Sequence, residues 1–302
     1  MTGRPPTPSR KLTFAASVAL TFVINGGCTT QPPETLGWLV VAANGQVQAV
    51  RDTAEVDEIP GVPAGARRAT AAAGRIVVEV DGGPIVVSDP PGTGAARSWR
   101  ELTIDARPGR STAGIDLSPD GGTLAIVRGD PDTAGMDVVT VDVETGTATT
   151  RELDLMANGP PAWIGPGMLA LEVVKPDQQV GIATLDTGTG AVAITRASGF
   201  EASVTGDGSL VAVATDAGVV VRKTSDWLSD APDFGVPVPG PEGATILDLA
   251  IDAAGARLAV VYADPSGASA SVMILRRNGP TWDEVTSIQV PGDGPVVVDW
   301  LD

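Results

Sequence analysis

The sequence predicts an all-β protein, a six-bladed β-propeller, from three observations: a repeated turn, the short apolar segments around it and the matching chain ends. The 302 residues include 37 Gly and 25 Pro, which indicates frequent turns. Five turn glycines recur at intervals of 41 to 47 residues, namely Gly74, Gly121, Gly167, Gly208 and Gly255. A period in the forties is typical of propeller blades, each built from four short strands.

The repeated unit is clearest in residues 114–127, GIDLSPDGGTLAIV. Two apolar segments flank an Asp-Gly turn there, which is the pattern of a β-hairpin. The turns at Gly208 and Gly255 are likewise followed by apolar segments, SLVAVAT and ARLAVVYA. Because the apolar residues run continuously instead of alternating, we expect these strands to be buried on both faces between neighbouring blades.

The two ends of the repeat complement each other. Residues 39–42, 45–50 and 54–59 form three predicted strands that lack a first strand, whereas residues 296–302 resemble a first strand with nothing after it. We therefore predict a composite blade, in which the C-terminal strand completes the N-terminal strands. Closing the ring of six blades in this way removes the exposed edges that an open sheet would carry.

The turn Ser118-Pro119-Asp120-Gly121 is similar to the WD40-like Pro-Asp repeats of TolB-type propellers. The resemblance covers residues 66–302. It implies a propeller fold and, as in that family, binding to protein partners in the cell envelope. It implies no catalytic residue.

The first 27 residues have the three-part layout of an export signal peptide. A positively charged start is followed by an apolar stretch at residues 12–24, LTFAASVALTFVI, and by small residues at Gly26 and Gly27. The next residue is Cys28, the single cysteine of the chain. This arrangement resembles the lipobox of bacterial lipoproteins, in which the cysteine is acylated and becomes the mature N-terminus. The resemblance predicts lipidation of Cys28, and the alternative is an ordinary secreted protein.

These features divide the chain into a signal peptide at residues 1–27, a lipid-anchored tether at residues 28–36 and a β-propeller domain at residues 37–302. Several acyl chains on one cysteine hold a protein at a membrane, where a single chain binds only weakly. We therefore expect an exported protein that is anchored by lipid to the outer face of the bacterial cell membrane.

Composition excludes several functions. A net charge of −17 leaves no basic face to neutralise phosphates, so no nucleic-acid partner is predicted. With no histidine the chain cannot build a Ser-His-Asp nucleophile or an imidazole zinc site, and one cysteine cannot form an internal disulfide. We predict no catalytic residue, no cofactor and no metal site, and we expect a monomer.

An acidic run at residues 129–137, GDPDTAGMD, contains carboxylates of the kind that bind calcium. Their spacing matches no EF-hand loop. We interpret the run as a solvated loop between two strands.

Aromatic residues make up 4% of the chain, so the position of each one is informative. Trp163 and Trp300 stand at equivalent positions of the repeat, which favours a role in blade packing. The segment Thr224–Pro241 departs from the repeat for the longest stretch, and within it Trp227 and Phe234 are the predicted partner-binding residues. The alternative for both side chains is that they cover a blade edge.

The sequence therefore predicts a non-catalytic propeller lipoprotein that binds or organises a protein or cell-wall partner in the envelope. A sensor or assembly role, with the propeller docked on a neighbouring membrane protein, is a related hypothesis. The alternative of a different class is a propeller hydrolase or lyase, which would use a carboxylate-bound metal in the central channel. Convergence of several Asp or Glu side chains at that channel would favour the enzyme.

Overall fold

The structure of the protein is a computed structural model that describes residues 38–51, 53–90, 97–105, 107–130, 135–174, 179–229, 231, 235–241, 244–264, 269–291 and 295–301. The first half contains β1 (Trp38–Ala43), β2 (Gln46–Val50), β3 (Val56–Glu58), β4 (Ala66–Ala72), β5 (Arg75–Val80), β6 (Ile85–Ser88), β7 (Trp99–Leu102), β8 (Ser111–Leu117), β9 (Thr123–Gly129), β10 (Met136–Asp142) and β11 (Ala148–Leu153). The second half contains β12 (Met156–Gly165), β13 (Met168–Val174), β14 (Val180–Asp186), β15 (Val192–Ile194), β16 (Phe200–Val204), β17 (Leu210–Thr215), β18 (Gly218–Lys223), α1 (Thr224–Leu228), β19 (Val236–Pro237), β20 (Ile246–Ile251), β21 (Arg257–Ala263), β22 (Ser269–Asn278), β23 (Thr281–Pro291) and β24 (Val296–Leu301).

These strands form six antiparallel sheets of four strands each, which confirms the predicted six-bladed propeller. From the axis outward, blade 1 is β24-β1-β2-β3, blade 2 is β4-β5-β6-β7 and blade 3 is β8-β9-β10-β11. Blades 4, 5 and 6 follow in chain order with β12, β16 and β20 as their inner strands. Each inner strand contacts the inner strands of the two adjacent blades, and the cycle closes where β24 contacts both β20 and β4.

The composite blade is also confirmed. Strand β24 pairs with β1 over six residue pairs, from Trp38 opposite Leu301 to Ala43 opposite Val296. The indole N–H of Trp300 donates to the Ala250 carbonyl of blade 6 at 2.9 Å. The indole of Trp163 makes the equivalent hydrogen bond from blade 4 to the Asp116 carbonyl of blade 3 at 3.2 Å, so both tryptophans join adjacent blades.

Apolar packing between the blades supplies the core. The described residues contain six buried clusters, and each cluster joins one pair of neighbouring blades. The second strands of the blades, such as β9 and β21, are buried along almost their whole length. This burial on both faces explains why their apolar residues run continuously instead of alternating.

The turn glycines of the repeat have the backbone conformation that the turns require. Gly121 and Gly208 have φ of 68° and 73°, a left-handed conformation that glycine adopts without strain. In blade 3 the Ser118 hydroxyl donates to Asp120, and the Gly122 N–H donates to the same carboxylate oxygen. The turn of blade 5 has the same hydrogen bonds with a threonine in place of the serine.

Asp137 corrects one interpretation of the sequence, because it does not lie in a solvated loop. Its side chain is fully buried on β10, and guanidinium nitrogens of Arg107, Arg110 and Arg128 lie 3.6 to 3.8 Å from its Oδ2 atom. Opposite charges balance the burial of this carboxylate. The ion cluster links the loop before β8 to the two middle strands of blade 3, β9 and β10.

Candidate functional site

A cavity of about 750 Å³ lies at the centre of the ring, lined by residues from all six inner strands. The inner strands run in the same direction, since Asp248 contacts Val298 while Ala250 contacts Trp300 two residues further along both strands. We call the mouth at which the inner strands begin the upper mouth. Leu247, near the start of β20, is 38% exposed there.

One side-chain oxygen at each blade boundary accepts a main-chain N–H from the next blade. The six interblade hydrogen bonds are Ala71 N to Asp299 Oδ2 (2.7 Å), Leu117 N to Thr70 Oγ1 (3.1 Å), Trp163 N to Asp116 Oδ2 (2.9 Å), Glu201 N to Glu172 Oε2 (3.2 Å), Ile251 N to Ser203 Oγ (3.0 Å) and Val298 N to Asp248 Oδ2 (2.7 Å). In every case the acceptor belongs to the preceding blade. These six hydrogen bonds therefore form a closed cycle around the axis, in which each blade donates to the blade before it.

Blade 4 makes its interblade hydrogen bond differently from the other five. Its inner strand contains Pro160 and Pro161, and the pairing with β13 is irregular between Ala157 and Pro161. The acceptor is instead Glu172 on the second strand, which is buried and also receives a hydrogen bond from Asn158. Proline has no side-chain oxygen that could accept a hydrogen bond and it distorts strand pairing, and at this boundary the neighbouring strand provides the acceptor.

Thr70 connects three blades. Its Oγ1 atom donates to Asp299 of blade 1 at 2.8 Å and accepts the Leu117 N–H of blade 3. The Oδ1 atom of Asp116, also of blade 3, lies 3.4 Å from the same oxygen. Thr70 is 2% exposed, so its hydroxyl makes these contacts and not hydrogen bonds to bulk water.

Two aspartates of the channel, Asp116 and Asp248, have pKa values above the ordinary range of aspartate. Burial is the main cause that raises the pKa of Asp116 well above its usual value, and the nearby Asp299 carboxylate raises it further. Burial likewise raises the pKa of Asp248, and the Glu201 carboxylate is the next cause. Hydrogen bonds from main-chain N–H groups lower both values but do not outweigh burial.

Glu201 lies at the upper mouth in an uncommon backbone conformation, with φ of 46°. A non-glycine residue in the left-handed region carries strain that the surrounding structure must hold in place. Burial, followed by the charge of Glu172, raises the pKa of Glu201 to about 8, while Arg68 lowers it. Arg68 also lines the cavity and forms an ion pair with Glu79 at 2.7 Å.

The channel therefore contains carboxylates, as the enzyme alternative requires, but their geometry differs from a metal site. The cavity is lined by Asp116, Glu201, Asp248 and Asp299. Within the described parts of the chain, no three Asp, Glu or Cys side chains are grouped so that they could hold a metal ion. Three of the four carboxylates instead accept main-chain N–H groups from the next blade.

The predicted partner-binding residues lie elsewhere. Trp227 is on α1, a short helix that the sequence analysis did not predict, and its side chain is 1% exposed. It packs against Ile182, Val211 and Val213, and its indole N–H donates to the Ser198 carbonyl at 3.0 Å. This burial corrects the expectation for Trp227, which covers the blade as the alternative proposed.

Phe234 and Cys28 lie outside the described residues, so their predicted roles stay predictions. Among the helices of the described chain, none has the length and apolar character needed to cross a membrane. The residues that the sequence analysis missed are the polar groups of the inner strands. Their one signal was the repeat itself, since Asp116 and Asp299 each fall on a predicted first strand.

No family model and no curated protein matches the chain. Solved structures do match its fold. TolB from Acinetobacter baumannii superposes with a TM-score of 0.61 and 13% identity over 87% of this chain and 66% of that chain. A putative TolB from Agrobacterium tumefaciens gives 0.56 and 11%, over 89% of this chain and 100% of that chain.

A puromycin-hydrolyzing peptidase from Mycobacterium tuberculosis also matches, with a TM-score of 0.51 and 20% identity over 83% of this chain. This chain spans 42% of the length of that peptidase and 66% of the length of the Acinetobacter TolB. At these identities the likeness shows the fold alone, a β-propeller. Activity has to be argued from the site itself.

We predict that Thr70→Val lowers the free energy of unfolding by about 2 kcal/mol, because the buried Leu117 N–H loses its acceptor and Asp299 loses a donor. Thr70→Ser keeps the hydroxyl and should stay close to the wild type. Urea unfolding followed by circular dichroism measures the difference. A valine variant as stable as the serine variant would show that Thr70 does not join the blades.

Proposed function

We propose that this chain is a non-catalytic binding or scaffold propeller of the bacterial envelope, which engages a protein or cell-wall partner at the upper mouth of its channel. The observation that carries the proposal is the central cavity of about 750 Å³. Its size lies in the range of ordinary ligand pockets. The wall combines apolar side chains with a few charged groups, which is the composition of a recognition site.

Three residues at the upper mouth support recognition of a partner. Leu247 presents an exposed apolar side chain, while Arg68 contributes a guanidinium from blade 2 and Glu201 contributes a carboxyl group from blade 5. An apolar contact contributes affinity, and polar groups in fixed positions select for a complementary partner. The resemblance of the Ser118–Gly121 turn to TolB-type repeats agrees with a partner in the cell envelope.

The hydrogen bonds of the channel carboxylates favour a binding role over a metal-dependent hydrolase or lyase. Asp116, Asp248 and Asp299 are each committed to a main-chain N–H of the next blade. Turning them toward a metal would break the hydrogen bonds that join the blades at the axis. A catalytic metal needs several ligands free to converge on one point.

The proposal includes export and a lipid anchor. Its support is the order of features at the start of the chain, where an apolar stretch at residues 12–24 precedes Gly26, Gly27 and Cys28. Acylation of Cys28 would hold the propeller at the outer face of the cell membrane. A partner in the envelope would then meet the propeller at high local concentration.

The binding proposal predicts selective photo-crosslinking at the upper mouth. Leu247 and Val285 are both on blade 6 with similar exposure, 38% and 42%, but Val285 lies on the outermost strand. A benzoylphenylalanine at position 247 should capture one specific partner in cells, identified by mass spectrometry, and the same group at position 285 should not. The identified partner, once purified, should bind Leu247→Asp at least about tenfold more weakly than wild type. Equal capture at both positions, or unchanged affinity, would contradict the proposal.

The anchor predicts that Cys28→Ser moves the protein from the membrane fraction to the soluble fraction of a bacterial host, because the acceptor of the acyl chains is lost. Thr30→Ala, which keeps the cysteine, is the matched control and should remain with the membrane. Mass spectrometry of the N-terminal peptide should show acylation in the control only. Membrane association that survives Cys28→Ser would remove the anchor from the account.

A further inference from the structure

We propose that the channel makes the contact between blades sensitive to pH, so that the ring is held most firmly in mildly acidic solution and loosens as the solution becomes alkaline. This device is a property of the ring and does not depend on the identity of the partner.

The acceptors of the interblade hydrogen bonds differ in one chemical respect. Four of the six are carboxyl groups, on Asp116, Glu172, Asp248 and Asp299, and two are hydroxyl groups, on Thr70 and Ser203. A carboxyl group accepts an N–H whether it is neutral or ionised. Protonation therefore preserves these hydrogen bonds and changes only the charge at the axis.

The charge at the axis is strongly unbalanced. The described ionisable groups that line the channel, or interact directly with those that do, are Arg68, Glu79, Asp116, Glu172, Glu201, Asp248 and Asp299. One guanidinium thus stands against six carboxyl groups, and it is already paired with Glu79. Arg257, on β21 behind these groups, lies over the Trp300 ring and is paired with Asp252. Ionising all six carboxyl groups would place like charges close together on buried and half-buried side chains, where water screens their repulsion less than at the open surface.

The geometry around Thr70 points to a retained proton. A hydroxyl has a single hydrogen, and the short 2.8 Å contact assigns the one on Thr70 to Asp299. The Asp116 Oδ1 atom lies 3.4 Å from the same oxygen. Two oxygens facing each other without a hydrogen between them repel, so Asp116 fits this position as the neutral acid, with its own proton directed at Thr70.

The direction of the effect follows from proton binding. Burial raises the pKa values of Asp116, Asp248, Glu172 and Glu201. Neighbouring carboxylates raise those of Asp116, Asp248 and Glu201 further, the last to about 8. The native protein therefore binds more protons than the unfolded chain between the ordinary carboxyl pKa and these raised values, and stability falls as pH rises through that interval.

Carboxylates in the turns set the lower limit of the pH range in which the fold is most stable. The Ser118 hydroxyl lowers the pKa of Asp120, and the Ser209 N–H lowers that of Asp207. Groups with lowered pKa values stabilise the fold above the ordinary carboxyl range and lose this effect in stronger acid. Stability should therefore be greatest in mildly acidic solution.

The test compares melting temperatures of the full chain at about pH 5.5 and about pH 8.5. The wild type should melt about 5 °C or more lower at the higher pH. Asp248→Asn keeps an acceptor for the Val298 N–H but cannot ionise. Its melting temperature should therefore fall clearly less than that of the wild type between the two pH values. Asp248→Ala loses the hydrogen bond, and its melting temperature should be lowered at both pH values.

Ser203→Ala is the matched control, because it removes an interblade hydrogen bond that has no titratable acceptor. It should lower the melting temperature equally at both pH values. Hydrogen exchange, corrected for the intrinsic pH dependence of amides, should show a larger loss of protection at high pH for the Val298 and Trp163 amides than for the Ile251 amide. A wild type that gains stability up to pH 8.5, or an Asp248→Asn variant with the same fall as wild type, would overturn the proposal.

Discussion

The hydrogen-bonded ladder between β24 and β1 joins the last strand of the chain to the first, from Ala43 opposite Val296 to Trp38 opposite Leu301. Because β24 is the inner strand of blade 1, it also contacts β20 and β4. Two of the six interblade hydrogen bonds use this strand, through the Val298 N–H and the Asp299 carboxylate. Without β24 the cycle at the axis would be interrupted at two adjacent boundaries, and the cavity would lose part of its wall.

The ring separates two kinds of interaction by their distance from the axis. Apolar clusters fill the space between blades, where burial contributes about 25 cal/mol per Å² of apolar surface. Polar side chains occupy the inner strands, where they hydrogen-bond the next blade and line the cavity. The same carboxylates thus fix the spacing of the blades and determine the charge that a ligand in the channel would meet. This double role connects the stability of the ring to the proposed recognition at its upper mouth.

The fold was largely predictable from the sequence, because turn glycines such as Gly121 and Gly208 need a left-handed conformation and repeat at blade intervals. The composite blade followed from counting strands at the two ends. The site was not predictable to the same degree. The sequence suggested Trp227 for partner binding, but a short helix turns its indole into the core. The contribution of Glu172 depends on Pro160 and Pro161, whose effect on strand pairing appears only in three dimensions.

Hydrogen exchange in β24 tests the closure of the ring most directly. A segment at the end of a chain ordinarily frays and exchanges quickly. If β24 completes blade 1, the amides of Val297, Val298 and Trp300 should exchange in mildly acidic solution only when the whole propeller unfolds, as slowly as those in the buried strand β9. Exchange of β24 amides that is much faster than exchange in β9 would contradict the account of a ring closed by its last strand.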